Sequence, residues 1–292
     1  MNLPFDVKPF PIPVVGFGSQ PEEDEHLHYV SMPQGMATYR APPLPEPEDL
    51  AGHEGAKATL QRVLNSVQAW RRGEAAAALD LAGLAPADLT LVNQVLGEGE
   101  VSAQVLGHDD KPRVHIQESV FAGVWRVIAT DDDGQVHDTI EVGAIPVLLK
   151  AVAREDAQGP APVVPPAVPP GVLNAVPILS ELAEHRQHWR AGQPAEVVNL
   201  TLLPVGPEDI AYLDHCIGTG RVVILSRGYG NCRITNARVA NTWRVVYYNS
   251  QDAVILNSVE VIDMPEVACA AAEDLADTEE RLVEVLQWID EA

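Results

Sequence analysis

The chain has 292 residues, 46% hydrophobic and 21% charged, and its 42 acidic side chains against 19 Lys and Arg give a formal charge of −23. That length can bury two cores of ordinary domain size, and the charge excludes a nucleic-acid backbone as partner, because such affinity comes from clustered cations. No apolar run approaches the roughly 20 residues of a membrane span, and the start MNLPFDVKPFPIP lacks the basic and apolar regions of an export signal, so a cytoplasmic location is expected; the acidic surface suits basic partners or serves solubility alone.

Residues 1–50 are rich in Pro and Gly, without periodicity, and read as an extended tail. Within it PEEDEHLHYV joins Glu22, Glu23, Asp24 and Glu25 to His26 and His28, the one cluster with metal-ligand chemistry. A selective site needs ligands held by a fold, so the stretch is read as a solvated acidic run and no metal or cofactor is expected. The following Tyr29, Met32, Met36 and Tyr39 combine adaptable thioethers with rigid rings and are candidate partner contacts, with packing of the tail on the chain's own globular units as the alternative.

From residue 51 the chain reads as two copies of one unit: a first repeat over 51–153, a Pro-rich linker over 154–177, and a second repeat over 178–292 that ends in an acidic helix. AWRRGE returns as HWRAGQ, aligning Trp70 with Trp189 and Gly73 with Gly192. LAPADLTLVNQVLGEGEV returns as LPVGPEDIAYLDHCIGTGRV, aligning Asp88 with Asp209, Gly97 with Gly218 and Gly99 with Gly220. In the first copy Leu60, Val63, Leu64, Val67 and Trp70 have helical spacing up to Gly73. A second helix runs from Pro86 to Gly97, and EVSAQVL, PRVHIQE, GVWRVIAT and QVHDTIEV follow as strands. The fold class is α+β: two tandem copies of two helices packed on a small antiparallel sheet, plus the tail.

The tripeptide Trp-Arg-Val occurs at 125–127 and again at 243–245. A two-residue turn at Asp133-Gly134 would set Arg126 opposite Glu141, and Arg244 opposite Glu260 once a longer loop or a bulge absorbs one extra residue. The pair is therefore read as architecture. Two side chains nearby are also candidate partner contacts: Trp125 itself, and Phe121, which the second copy replaces with Val239.

No G-x-S-x-G, P-loop, H-E-x-x-H or C-x-x-C occurs, and Cys216, Cys232 and Cys269 are spaced too widely for a zinc or redox motif. No catalytic residue is expected and the chain is not read as an enzyme.

GFGSQPEEDEHLHYVSMPQGMATYRAPPLPEPE, LGEGEVSAQV with ESVFAGVWRV, NTWRV, and EDLADTEERLVEVLQWI resemble the HupH/HyaF family of nickel-iron hydrogenase accessory proteins along nearly the whole chain. The resemblance implies a non-enzymatic cytoplasmic chaperone that holds the hydrogenase small-subunit precursor before export, with other accessory proteins as further partners. A metallochaperone that serves nickel incorporation is the alternative it leaves. It carries over no catalytic residues.

Overall fold

The structure, a computed structural model, describes residues 52–107, 109–159, 167–228 and 230–290. They form two compact units. Unit A holds residues 52–152, 221–228 and 266–290, and unit B holds 153–159, 167–220 and 230–265.

In unit A, α1 (Glu54–Arg71) and α2 (Pro86–Leu96) precede strands β2 (Val101–Leu106), β3 (Pro112–Glu118), β4 (Val124–Thr130) and β5 (Val136–Val142). The strands form an antiparallel meander whose outer edge is β1 (Leu79–Asp80), paired to β5. Leu60, Val63, Leu64 and Val67 lie on one face of α1 at helical spacing and pack in one core with Val92, Val95 and Leu96 of α2, Phe121 and Ile140. Beyond β5, α3 (Val147–Gln158) begins in this unit and ends in unit B.

In unit B, α4 (Ala175–His188) and α5 (Pro207–Ile217) accompany β8 (Asn231–Ala237), β9 (Thr242–Tyr248) and β10 (Val254–Val261), again an antiparallel meander, with β6 (Glu196–Asn199) along the outer edge of β10. Strand β7 (Thr219–Ser226) starts in this unit, and its remainder pairs with β2 in unit A. Helix α6 (Ala272–Asp290) closes the chain.

By chain order α6 was expected with the second repeat; it packs in unit A, against α1. Its Leu275, Thr278, Leu282 and Leu286 form a buried stripe, and the last two enter the core that α1 lines. Gln68 donates to Glu279 at 3.2 Å, and Arg71 pairs with the same carboxylate.

The hairpin register also differs from the expectation. Trp125 stands opposite Glu141 and Arg126 opposite Ile140; in unit B, Trp243 stands opposite Glu260 and Arg244 opposite Val259. The cause is a three-residue loop in place of a two-residue turn. Gly134 N–H donates to Asp131 O at 3.1 Å with Gly134 at φ 79°, and Asp131 N–H donates to Gln135 O at 3.0 Å. One more loop residue moves every pairing by one, so that Trp125 shares its face of the sheet with Glu141 and Arg126 shares the other with Ile140. The second hairpin uses the same loop: Asp252 takes the left-handed position at φ 57°, and Asn249 Oδ1 accepts from Gln251 and Ala253 N–H. The extra residue is absorbed as a bulge at Ile255, between the Val254 and Leu256 pairings.

Both Gly-x-Gly pairs have the same use. A Cβ on Gly99 would collide with the backbone of Ser119, and one on Gly220 with the side chain of Asn236, so only glycine lets the chain pass there.

Candidate functional site

Trp125 is fully buried and its indole N–H donates to Gly143 O at 2.8 Å; Trp243 is 1% exposed and donates to Ile262 O at 3.1 Å. A buried indole whose one polar group is satisfied ties a strand to the segment that follows the hairpin. The arginine beside it reaches the neighbouring helix in each unit. Arg126 bonds Asp138 at 3.0 and 2.6 Å and also Asn93 of α2, whereas Arg244 lies 3.8 Å from Asp214 of α5. The repeat alignment sets Asn93 against Asp214 and Asp138 against Asn257, so the carboxylate that faces the arginine has moved from strand to helix.

Phe121, expected to stand exposed, is 2% exposed. Helix α6 covers the loop that carries it. Thr278 Oγ1 donates to Ala122 O at 3.0 Å, Arg281 donates to Val120 O at 2.9 Å, and the Arg281 guanidinium sits 5.0 Å from the Phe121 ring centre. Leu275 fills the space that Gly123 leaves open. Neither Phe121 nor Trp125 offers a surface contact in this arrangement, because a helix about 150 residues away in sequence lies over the loop. Tyr29, Met32, Met36 and Tyr39, with the Glu22–His28 cluster, lie outside the described residues.

Glu118 anchors the same loop. It is 6% exposed and accepts the Gly123 N–H at 3.1 Å. Burial pushes its carboxyl up to about 7 against the pull of the Gly123 and Val101 N–H groups, and the carboxylates of Glu100 and Asp274 add to the rise. A folded pKa above the unfolded one means that ionisation costs stability, so stability falls as pH rises from about 4.5 to about 7 and then levels. We expect Glu118→Gln to be more stable than the parent by on the order of 1–3 kcal/mol above pH 7, with the difference vanishing in acid. Denaturant melts across that range check it; a difference independent of pH would contradict the assignment.

The remaining chemistry is sparse. A cavity of about 160 Å³ lies beside Trp125, Glu141, Ile145 and Pro146, room for one side chain. Burial raises the Cys216 thiol and lifts that of Cys232 to about 12, which leaves both poor nucleophiles at neutral pH. Among the described residues, no group of three or more His, Cys, Asp or Glu could hold a metal ion, and no helix is long and apolar enough to cross a membrane.

The model of the C-terminal conserved region of the HupH hydrogenase expression protein matches residues 54–163 and again 172–289. The hydrogenase expression/formation protein HoxQ of Cupriavidus necator is 51% identical, over 96% of this chain and 98% of its own. HupH of Rhodobacter capsulatus is 45% identical over 97% and 99%, and the hydrogenase-1 operon protein HyaF of Escherichia coli is 35% identical over 74% of each. Among solved structures, the hydrogenase expression protein HupH from Thiobacillus denitrificans is 29% identical, covers 39% of this chain and 95% of its own, and has a TM-score of 0.37. With one family model matched twice in succession and relatives similar from end to end, the chain belongs to the HupH family of hydrogenase expression proteins.

Proposed function

We propose that this protein is a duplicated, non-enzymatic maturation chaperone that holds the small-subunit precursor of a nickel-iron uptake hydrogenase in the cytoplasm before export. The observation that carries the role in maturation is the 51% identity, over nearly the full length of both chains, to a hydrogenase expression/formation protein. The duplication is supported by features that recur at aligned positions in both units: the indole-to-carbonyl bond, the three-residue hairpin and the edge strand. An acidic chain suits a precursor whose signal region is basic. Tyr29, Met32, Met36 and Tyr39 are proposed contacts. Phe121 and Trp125 serve in this reading as the packed support of their loop.

The test is capture from cells that express the hydrogenase operon. A tagged chain should bring down the small-subunit precursor, and removing residues 1–40 should weaken the capture several-fold while circular dichroism stays unchanged. Capture of the large subunit alone, or equimolar nickel that is lost with His26→Ala and His28→Ala, would replace the holding role with nickel delivery.

A further inference from the structure

In unit B the sheet face that meets α5 gathers two arginines, a tyrosine and an asparagine. Arg233 stands opposite Val246, so Arg244 and Tyr248, two residues to either side of Val246 on β9, are its diagonal neighbours on the same face. Asn257 flanks Val246 from β10. Arg244 is 3% exposed, Asn257 5% and Tyr248 8%, while Arg233 is half-buried and is the member of the group that water reaches.

The corresponding corner of unit A is balanced in charge. Matching the strands through the two Trp-Arg-Val tripeptides sets His115 against Arg233, Thr130 against Tyr248 and Asp138 against Asn257. There Arg126 has its carboxylate in Asp138, and His115 is exposed to water. In unit B the strand carboxylate is replaced by a neutral amide and a second guanidinium is added. Arg244 has Asp214 of α5 at 3.8 Å, but Arg233 pairs with no carboxylate among the described residues. Asp252, near enough to act on the Tyr248 phenol, lies exposed on the hairpin loop. Two buried donors of the group also have no acceptor among the described residues: the Arg233 Nε–H and the Tyr248 hydroxyl. Burial pushes the phenol above its usual range although Arg233 and Arg244 both pull it down, so it keeps its proton and can donate. An unmet buried donor and an uncompensated, partly desolvated charge each cost stability, so their presence side by side needs a reason.

A water molecule would satisfy the donors and leave the charge. One negative charge on at least two acceptor oxygens meets both needs, and that is a carboxylate. A phosphate carries between one and two charges at neutral pH and is the worse match for a chain at −23. We infer that this face of unit B binds a carboxylate, which enters at Arg233 and accepts from the Arg233 Nε–H and the Tyr248 hydroxyl, with Arg244 close by to favour its charge. Asn257, whose Oδ1 is likewise without a partner among the described residues, offers its NH2 once the amide is turned about its last bond. The carboxylate is that of a small acid or of an aspartate or glutamate side chain on another protein. The site stands apart from the holding role, and either can fail alone.

The probe is sodium formate, titrated into the full chain against sodium chloride at equal ionic strength, with the melting temperature as readout. Formate should raise it saturably above the chloride curve, as a ligand of the folded state does. Arg233→Gln should be at least as stable as the parent in chloride, since it removes the uncompensated charge, and should bind formate about tenfold more weakly or worse; Tyr248→Phe should fall between the two. A peptide with one glutamate and blocked termini, compared with its glutamine twin, separates the two sources. Stabilisation by the glutamate peptide at lower concentration than formate gives the site to a protein side chain, and stabilisation by formate alone gives it to a small acid. No difference between formate and chloride, an equal response of Arg233→Gln, or a larger response to inorganic phosphate would overturn the assignment.

Discussion

Arg244→Met should destabilise unit B by about 3–5 kcal/mol, the loss expected when one partner of a buried ion pair is removed and the other charge stays behind. Arg244 and Asp214 are 3% and 7% exposed at the side chain. Burial pushes the Asp214 carboxyl up and holds the Arg244 guanidinium below its usual range, each against the attraction of the other. Asp214→Leu alone should cost a similar amount. The double variant should lose much less than the two single losses together, because no charge is left without its counterpart. Arg126→Met is the control: its side chain is 26% exposed and its carboxylate partner 18%, so water takes over much of the interaction and about 1 kcal/mol is expected. Chemical denaturation of the four variants measures all of this. Equal losses at Arg126 and Arg244 would contradict the argument that the same tripeptide holds a screened pair in one unit and a desolvated pair in the other.

The second large effect is expected at Asp209. Its Oδ1 accepts the N–H groups of Leu173 and Asn174, which lead into α4, and of Ala175, the first residue of that helix, and its Oδ2 accepts from Gly206 at 3.1 Å. One carboxylate thus caps two helices. Asp209→Ala leaves four donors without it and should cost roughly 3–4 kcal/mol, while Asp209→Asn, which keeps one acceptor oxygen, should cost about half. Among the described residues Asp88, at the aligned position, pairs with His53 at 3.1 Å, and Asp88→Ala should cost about 1 kcal/mol or less. Burial alone would raise the Asp209 carboxyl, but the four N–H groups outweigh it and hold the pKa below the usual range. The contribution is therefore present above the ordinary carboxylate pKa and is lost as pH falls through the depressed one, so parent and Asp209→Ala should converge in acid.

These residues also show where the sequence is legible. Trp125, Trp243, Gly99 and Gly220 are legible as architecture, since a buried indole and a close backbone approach each demand one residue type. The hairpin register is not legible from Asp133-Gly134 alone. DDDGQ accommodates a two- or a three-residue loop, and the choice lies in backbone bonds around Asp131 that composition does not display. Edge strands β1 and β6, with two and four residues, are too short to show alternation. The burial of Phe121 is invisible for another reason: α6 reaches it from the far end of the chain, and local pattern carries no record of a contact made at that distance. The exposed Leu173 and Leu202 are hidden likewise, because each reads as an ordinary core leucine until its neighbours are placed.

Native mass spectrometry of the complex captured from hydrogenase-expressing cells tests the holding role most directly. The account predicts a species whose mass is the sum of this chain and the small-subunit precursor with its signal uncleaved, and which dissociates as salt rises. A species containing this chain with nickel or the large subunit, and no precursor, would contradict it.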